Sequence, residues 1–159
     1  QQQEEGDREQ GKHALDLRRD LGLRPGRKYA LYEFWTRRFL GIFSHQAALA
    51  VGAHDTALLR ITEINDRPEL VFSSRHLTQG AVEFETLAWS AADKCWRSRS
   101  HCVPNREWEL AFYLPSGWRF AAADSSICSE TEVKDQVLHL RLRPGEAEVC
   151  DWSIRFESD

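Results

Sequence analysis

Apolar and polar residues alternate with a period of two along most of the chain, and the 3.6-residue spacing of an amphipathic helix is nearly absent. From Glu107 to Leu114, Trp108, Leu110, Phe112 and Leu114 fall on one side, and Glu107, Glu109, Ala111 and Tyr113 fall on the other. The same pattern recurs over Val137 to Arg143, with Leu138, Leu140 and Leu142 inward, and over Asp151 to Glu157, with Trp152, Ile154 and Phe156 inward. Shorter strands are predicted around Leu15 and Leu17, Leu58 to Ile61, Leu70 to Phe72, and Val82 to Glu85. Turn signals separate them: Arg24-Pro25-Gly26, Asn65-Asp66-Arg67-Pro68, Pro115-Ser116-Gly117 and Pro144-Gly145. Leu17 to Leu23 is the one stretch read as a brief helical turn. With no crossover helices, parallel α/β is disfavoured. The expected fold is all-β: an antiparallel two-sheet β-sandwich, Greek-key or jelly-roll-like, of about eight strands.

One strand departs from the one-sided rule. From Tyr29 to Thr36, one face carries Tyr29, Leu31, Glu33 and Trp35, and the other carries Ala30, Tyr32, Phe34 and Thr36. Both faces are substantially apolar, so both are expected to be covered. The sandwich core is one cover, and a loop or a neighbouring domain is the other. A neighbour would leave an apolar patch beside this strand in the isolated chain, whereas a loop would leave none and bury both Tyr32 and Trp35.

The 159 residues suit one domain large enough to hold a core without staples. Residues 1–11 read as a disordered tail or linker, and 12–159 as a single domain. The chain begins at Gln1 and contains no Met, so it is read as a piece of a longer protein. Net charge is −4, of which the first ten residues carry −3. The nearly neutral remainder gives no electrostatic case for a nucleic-acid partner. No apolar run approaches the roughly 18–20 residues of a membrane helix, and no membrane partner is expected.

Candidate chemistry is sparse. The sequence has no H-E-x-x-H, G-x-S-x-G, P-loop or dinucleotide fingerprint, so neither a cofactor nor a catalytic set is expected. Glu83, Glu85, Glu107 and Glu109 alternate with core positions and read as solvated, as does His139. Four cysteines, Cys95, Cys102, Cys128 and Cys150, allow three pairings. The favoured reading is reduced thiols. A disulfide is the alternative, with Cys95 and Cys102 flanking a hairpin loop, and a zinc site with His101 is a remote third because no C-x-x-C is present.

The tryptophans say more. Trp108 and Trp152 are in phase with core positions. Trp89, Trp96 and Trp118 lie near strand ends, where an indole can stack on the C–H face of a sugar or simply pack the end of a sandwich. The polar run Ser73-Ser74-Arg75-His76-Leu77-Thr78-Gln79-Gly80 gathers hydrogen-bonding groups that suit either a tie across strands or an interdomain contact. Tyr32, Trp35, Arg75, His76, Thr78 and Gln79 are the candidate structural or interdomain set. Gly80 is expected at a bend or bulge.

Three segments resemble the C-terminal β-sandwich domain of α-galactosidase-like glycoside hydrolases, the melibiase group of clan D. They are Tyr29-Ala30-Leu31-Tyr32-Glu33-Phe34-Trp35 with Phe39-Leu40-Gly41, then Ala53-His54-Asp55-Thr56-Ala57-Leu58-Leu59-Arg60-Ile61, and Ser74-Arg75-His76-Leu77-Thr78-Gln79-Gly80. The likeness spans roughly residues 12–159, is strongest over 28–90 and is weak after Trp118. The second segment lacks the prolines usual before that strand, and residues 95–102 have no counterpart. The resemblance implies a (β/α)8 barrel, holding both catalytic aspartates, in the same parent polypeptide. This chain would then be a non-catalytic domain that packs on the barrel and stabilises it. The alternative is a carbohydrate-binding module using Trp89, Trp96 and Trp118.

Overall fold

The computed structural model describes residues 11–75, 83–124 and 126–159. Among them are thirteen strands and no helix. In chain order these are β1 (Gly11–Asp16), β2 (Tyr29–Glu33), β3 (Arg38–Phe43), β4 (Gln46–Val51), β5 (Leu59–Glu63), β6 (Glu69–Ser73), β7 (Phe84–Ser90), β8 (Cys95–His101), β9 (Trp108–Tyr113), β10 (Trp118–Ala123), β11 (Cys128–Lys134), β12 (Val137–Leu142) and β13 (Val149–Ser158). Every pairing is antiparallel, in four sheets ordered β1-β4, β3-β2-β5, β11-β12-β9-β6 and β10-β13-β8-β7. The strand count exceeds the eight expected, because β3, β4, β8, β10 and β11 carry no clean alternation of apolar and polar residues.

Three apolar cores lie between these sheets. The largest lies between the two four-stranded sheets, an arrangement consistent with a β-sandwich, and holds Trp108, Leu110, Phe112, Leu138, Leu140, Trp152, Ile154 and Phe156. A second joins Ala30 and Tyr32 of β2 to Val71, Phe72, Ala111 and Val137, with the rings of Tyr32 and Phe72 stacked at 4.5 Å. A third joins Tyr29 and Leu31 to Leu17 and Ala47, beside β1 and within β4. Alternate residues of β2 therefore enter different cores, and all five are buried.

This corrects the expectation for the Tyr29 to Thr36 segment. The strand ends at Glu33, Phe34 to Arg37 form a turn, and the second face of β2 is covered by the β1-β4 ribbon of the same chain. Tyr32 is buried, whereas Trp35, in the turn, is 58% exposed. A two-sided apolar strand demands two covers, and a ribbon of the same chain supplies one as well as a foreign domain would.

β9 also has two covered faces. Ala111, on the face expected to meet solvent, is fully buried in the second core. Leu17 to Leu21 form turns, with Asp20 N–H bonded to the Asp16 carbonyl and Gly22 N–H to that of Arg18, each 2.9 Å, but no helix follows. Gly11 belongs to β1, and residues 1–10 lie outside the described residues.

Candidate functional site

The strand registers set two distinct ends on the large sandwich. At one end, β7 pairs Trp89 with Trp96 of β8, and Trp118 opens β10 opposite Ser158 of β13. The three tryptophans singled out from sequence meet here, with the Trp89 ring centroid 5.7 Å from those of both Trp96 and Trp118. Trp96 is buried, and Trp89 and Trp118 are half-buried against the core. The β5–β6 loop closes over them. Trp96 Nε1 donates to the Pro68 carbonyl at 2.7 Å and Trp118 Nε1 to the Asp66 carbonyl at 3.1 Å.

Cations then cap the rings. The Arg67 guanidinium lies 5.0 Å from the Trp96 centroid and 5.8 Å from that of Trp89, and the Lys94 ammonium lies 5.8 Å from Trp118. Arg67 Nε is also bonded to Glu69 at 2.8 Å, and Lys94 Nζ donates to the Ser158 hydroxyl at 2.7 Å. Trp89, Trp118, Arg67, Lys94 and Ser158 line an open pocket of about 550 Å³, together with Asn65 and Asp66. Sequence reasoning found its aromatics but missed Arg67, Lys94 and Asp66, which sit in turns whose residues follow no strand period.

The opposite end is ionic and covalent. Ser73, closing β6, donates its hydroxyl to Glu83. Glu83 is only 2% exposed, which corrects its reading as a solvated residue. It precedes β7 in a turn rather than lying on an outer strand face, so the alternation that suggested solvent does not apply there. Its second carboxylate oxygen has no hydrogen-bond partner among the described residues. Burial lowers the pKa of Arg60 and Arg75, and the Glu83 charge works against that in both. Arg75 lies over the Trp108 ring at 4.8 Å and donates to the His101 carbonyl. Ser74 ties β6 to β9, donating its N–H to the Glu109 carbonyl and accepting the Glu109 N–H at 2.8 Å. His76, Thr78, Gln79 and Gly80 lie outside the described residues.

Cys102 and Cys150 form a disulfide at this end, spanning 48 residues of sequence. The expectation of reduced thiols is thereby corrected for these two. Cys95 and Cys102 do not flank a loop but bracket β8, too far apart along a strand to meet, and Cys95 and Cys128 are free. With Cys102 bridged, the zinc reading loses a ligand, and among the described residues no cluster of three metal-binding side chains occurs.

A third feature is a groove of about 850 Å³ between β3 and β4, with Trp35 at its rim and Phe39, Leu40, Leu49, Val51 and Leu59 along it. Glu33 anchors the rim turn by accepting from the Thr36 hydroxyl and amide, each 2.6 Å, and from the Trp35 and Leu58 amides at 3.2 Å. Burial pushes its carboxyl up, and those bonds outweigh burial and hold it below the usual carboxylate range. Burial drives the Tyr32 phenol up to about 12, and its hydroxyl donates to the Arg37 carbonyl of the same turn at 3.0 Å. The turn that presents Trp35 is therefore held firmly from both sides.

The other acidic residues expected at the surface are ion-paired there. Glu85 meets Arg99, Glu107 meets Arg141 and Arg143, and Glu109 meets Arg37 and Arg141. No known protein family, no characterised protein and no solved structure matches the chain.

Proposed function

We propose that this chain is a non-catalytic antiparallel β-sandwich module of an α-galactosidase-like glycoside hydrolase, packing on and stabilising a catalytic (β/α)8 barrel of the same polypeptide. The observation that carries this reading is Trp35. A large aromatic side chain, more than half exposed, is held by a hydrogen-bonded turn at the rim of a groove that mixes apolar residues (Phe39, Leu40, Leu49, Val51) with polar ones (Arg38, His54, Asp55). Exposed apolar surface gathered in one place marks a contact to be made, and interdomain contacts typically bury about 600–1,500 Å². The sequence resemblance supplies the barrel as the partner. The test is the full-length product of the gene. Trp35→Ala there is expected to lower the unfolding midpoint of the barrel while leaving the fold of this module intact. A full-length product without a barrel, or a barrel indifferent to Trp35→Ala, overturns the reading.

A second reading has its own observation. The three tryptophans proposed for carbohydrate binding pack together at the end of the large sandwich, and Trp89 and Trp118 line a pocket there beside polar side chains able to take hydroxyl hydrogen bonds. In this reading Trp89 and Trp118 supply the apolar wall of a glycan site, and Trp96 backs them from the core.

A further inference from the structure

We infer that the pocket at the aromatic end takes a neutral saccharide, with Asp66, Arg67 and Lys94, rather than an open indole platform, providing the recognition. The inference rests on the glycan reading above and names its ligand class and its polar residues.

Both Trp96 and Trp118 spend their indole N–H groups on backbone carbonyls, so neither has a donor left for a ligand. Each also lies beneath a cation. A sugar entering the pocket therefore meets ring edges together with the cationic side chains that cap the rings.

Those cations are already positioned. Lys94 closes the β7–β8 turn with a left-handed backbone, φ 50°, and its carbonyl accepts the Phe156 N–H at 2.9 Å. Its ammonium is held between the Ser158 hydroxyl and the Trp118 ring. Arg67 is pinned by Glu69 on one edge and by two indoles on its face. Its two terminal nitrogens make no hydrogen bond among the described residues. Long flexible side chains usually lose entropy when they engage a ligand, and here packing has already restrained them.

Charge then selects the ligand. Glu69 is buried and accepts from both Arg67 and Asn65, so it offsets the guanidinium internally. What remains at the mouth is the Lys94 ammonium and the exposed Asp66 carboxylate, one charge of each sign. An acidic ligand would gain at Lys94 and lose at Asp66. A neutral ligand with adjacent hydroxyls can accept from Lys94 or Arg67 and donate to Asp66 at the same time. Its C–H groups meet the edges of the half-buried Trp89 and Trp118. The pocket, about 550 Å³, lies within the range of small-ligand sites.

The experiment titrates the full chain with neutral galacto-, gluco- and manno-oligosaccharides and with oligogalacturonate and sulfated oligosaccharides, followed by calorimetry and by tryptophan fluorescence. The expected result is 1:1 binding of a neutral oligosaccharide, weakened about tenfold or more by Asp66→Asn and by Lys94→Met, each of which removes a charge-assisted hydrogen bond. A uronate or sulfated ligand that binds tenfold tighter than its neutral counterpart overturns the neutral class and leaves the glycan reading standing. Neutral binding indifferent to both variants overturns the pocket assignment. No binding by any member, with the circular dichroism spectrum and unfolding midpoint of a folded chain, overturns both this inference and the glycan reading.

Discussion

The two ends of the large sandwich solve the problem of closing an open sheet stack in opposite ways. One is plugged with tryptophans that lie under cations, two of them, Trp96 and Trp118, with their indole N–H groups satisfied by loop carbonyls. The other is fastened by a disulfide and by a buried serine–glutamate contact flanked by arginines. The first leaves a pocket open to solvent, and the second buries charge. The difference separates a place where side chains remain available to a ligand from a place where they are consumed in holding strands together.

That contrast can be broken most forcefully at the disulfide. Cys102→Ser with Cys150→Ser is expected to cost about 4 kcal/mol by the loop-closure estimate for a 48-residue span, measured as a shift in denaturant midpoint. Loss of ligand binding in that variant, with the fold retained, would show that the two ends are not independent. Next in size is Ser73→Ala. It leaves both Glu83 carboxylate oxygens without a hydrogen bond among the described residues, and a loss of about 1–3 kcal/mol is expected in the same assay. A change below about 0.5 kcal/mol would mean that this end does not depend on the contact. At the aromatic end, Lys94→Met should cost only about 0.5–1 kcal/mol of stability, the value of a solvent-accessible cation–π contact. A larger stability loss would make Lys94 a fastener like its counterparts at the other end.

The smallest effect belongs to neither end. His139 of β12 is half-buried, and burial lowers its pKa against the pull of Glu132 and Glu109. The folded chain then binds fewer protons than the unfolded chain just below pH about 6.5, the ordinary histidine value. Stability should be flat with respect to this group above that pH and decline as pH falls beneath it. His139→Gln should flatten that decline, and an unchanged pH profile would sink the assignment.

Much of the fold was legible because several strands follow the simple period. Leu110, Phe112, Leu138, Leu140, Trp152 and Ile154 all lie in the core where alternation put them. The missed strands failed for identifiable reasons. In β8 burial alternates but polarity does not, because two of its inward residues are Ser98 and Ser100, which bond each other and, through Ser100, the indole of Trp152. A polar residue satisfied inside the core reads as a surface residue in a sequence. β11 is exposed over nearly its whole length, and β4 uses alanines on both faces, so neither shows contrast. At the aromatic pocket, tryptophans near strand ends could be picked out one by one. Their convergence could not, because it depends on the β7–β8 and β10–β13 registers, and Arg67 and Lys94 enter only through turns. The Cys102–Cys150 pairing was hidden for the same reason, since it follows from Cys150 lying opposite Ser100 in the β8–β13 ladder.

The ribbon over β2 bears on how the molecule opens. β1 and β4 pair with each other and with no further strand among the described residues, yet they cover the Tyr29 and Leu31 face of β2. A two-stranded sheet is marginal by itself, so this layer should detach at a lower free energy than the rest. Amide hydrogens of residues 11–16 and 46–51 would then exchange with solvent first, and those of 108–113, buried in the middle of the stack, last. Each such excursion uncovers the apolar Tyr29 and Leu31 face of β2, which makes shedding of the ribbon the step at which two copies of the chain would begin to aggregate.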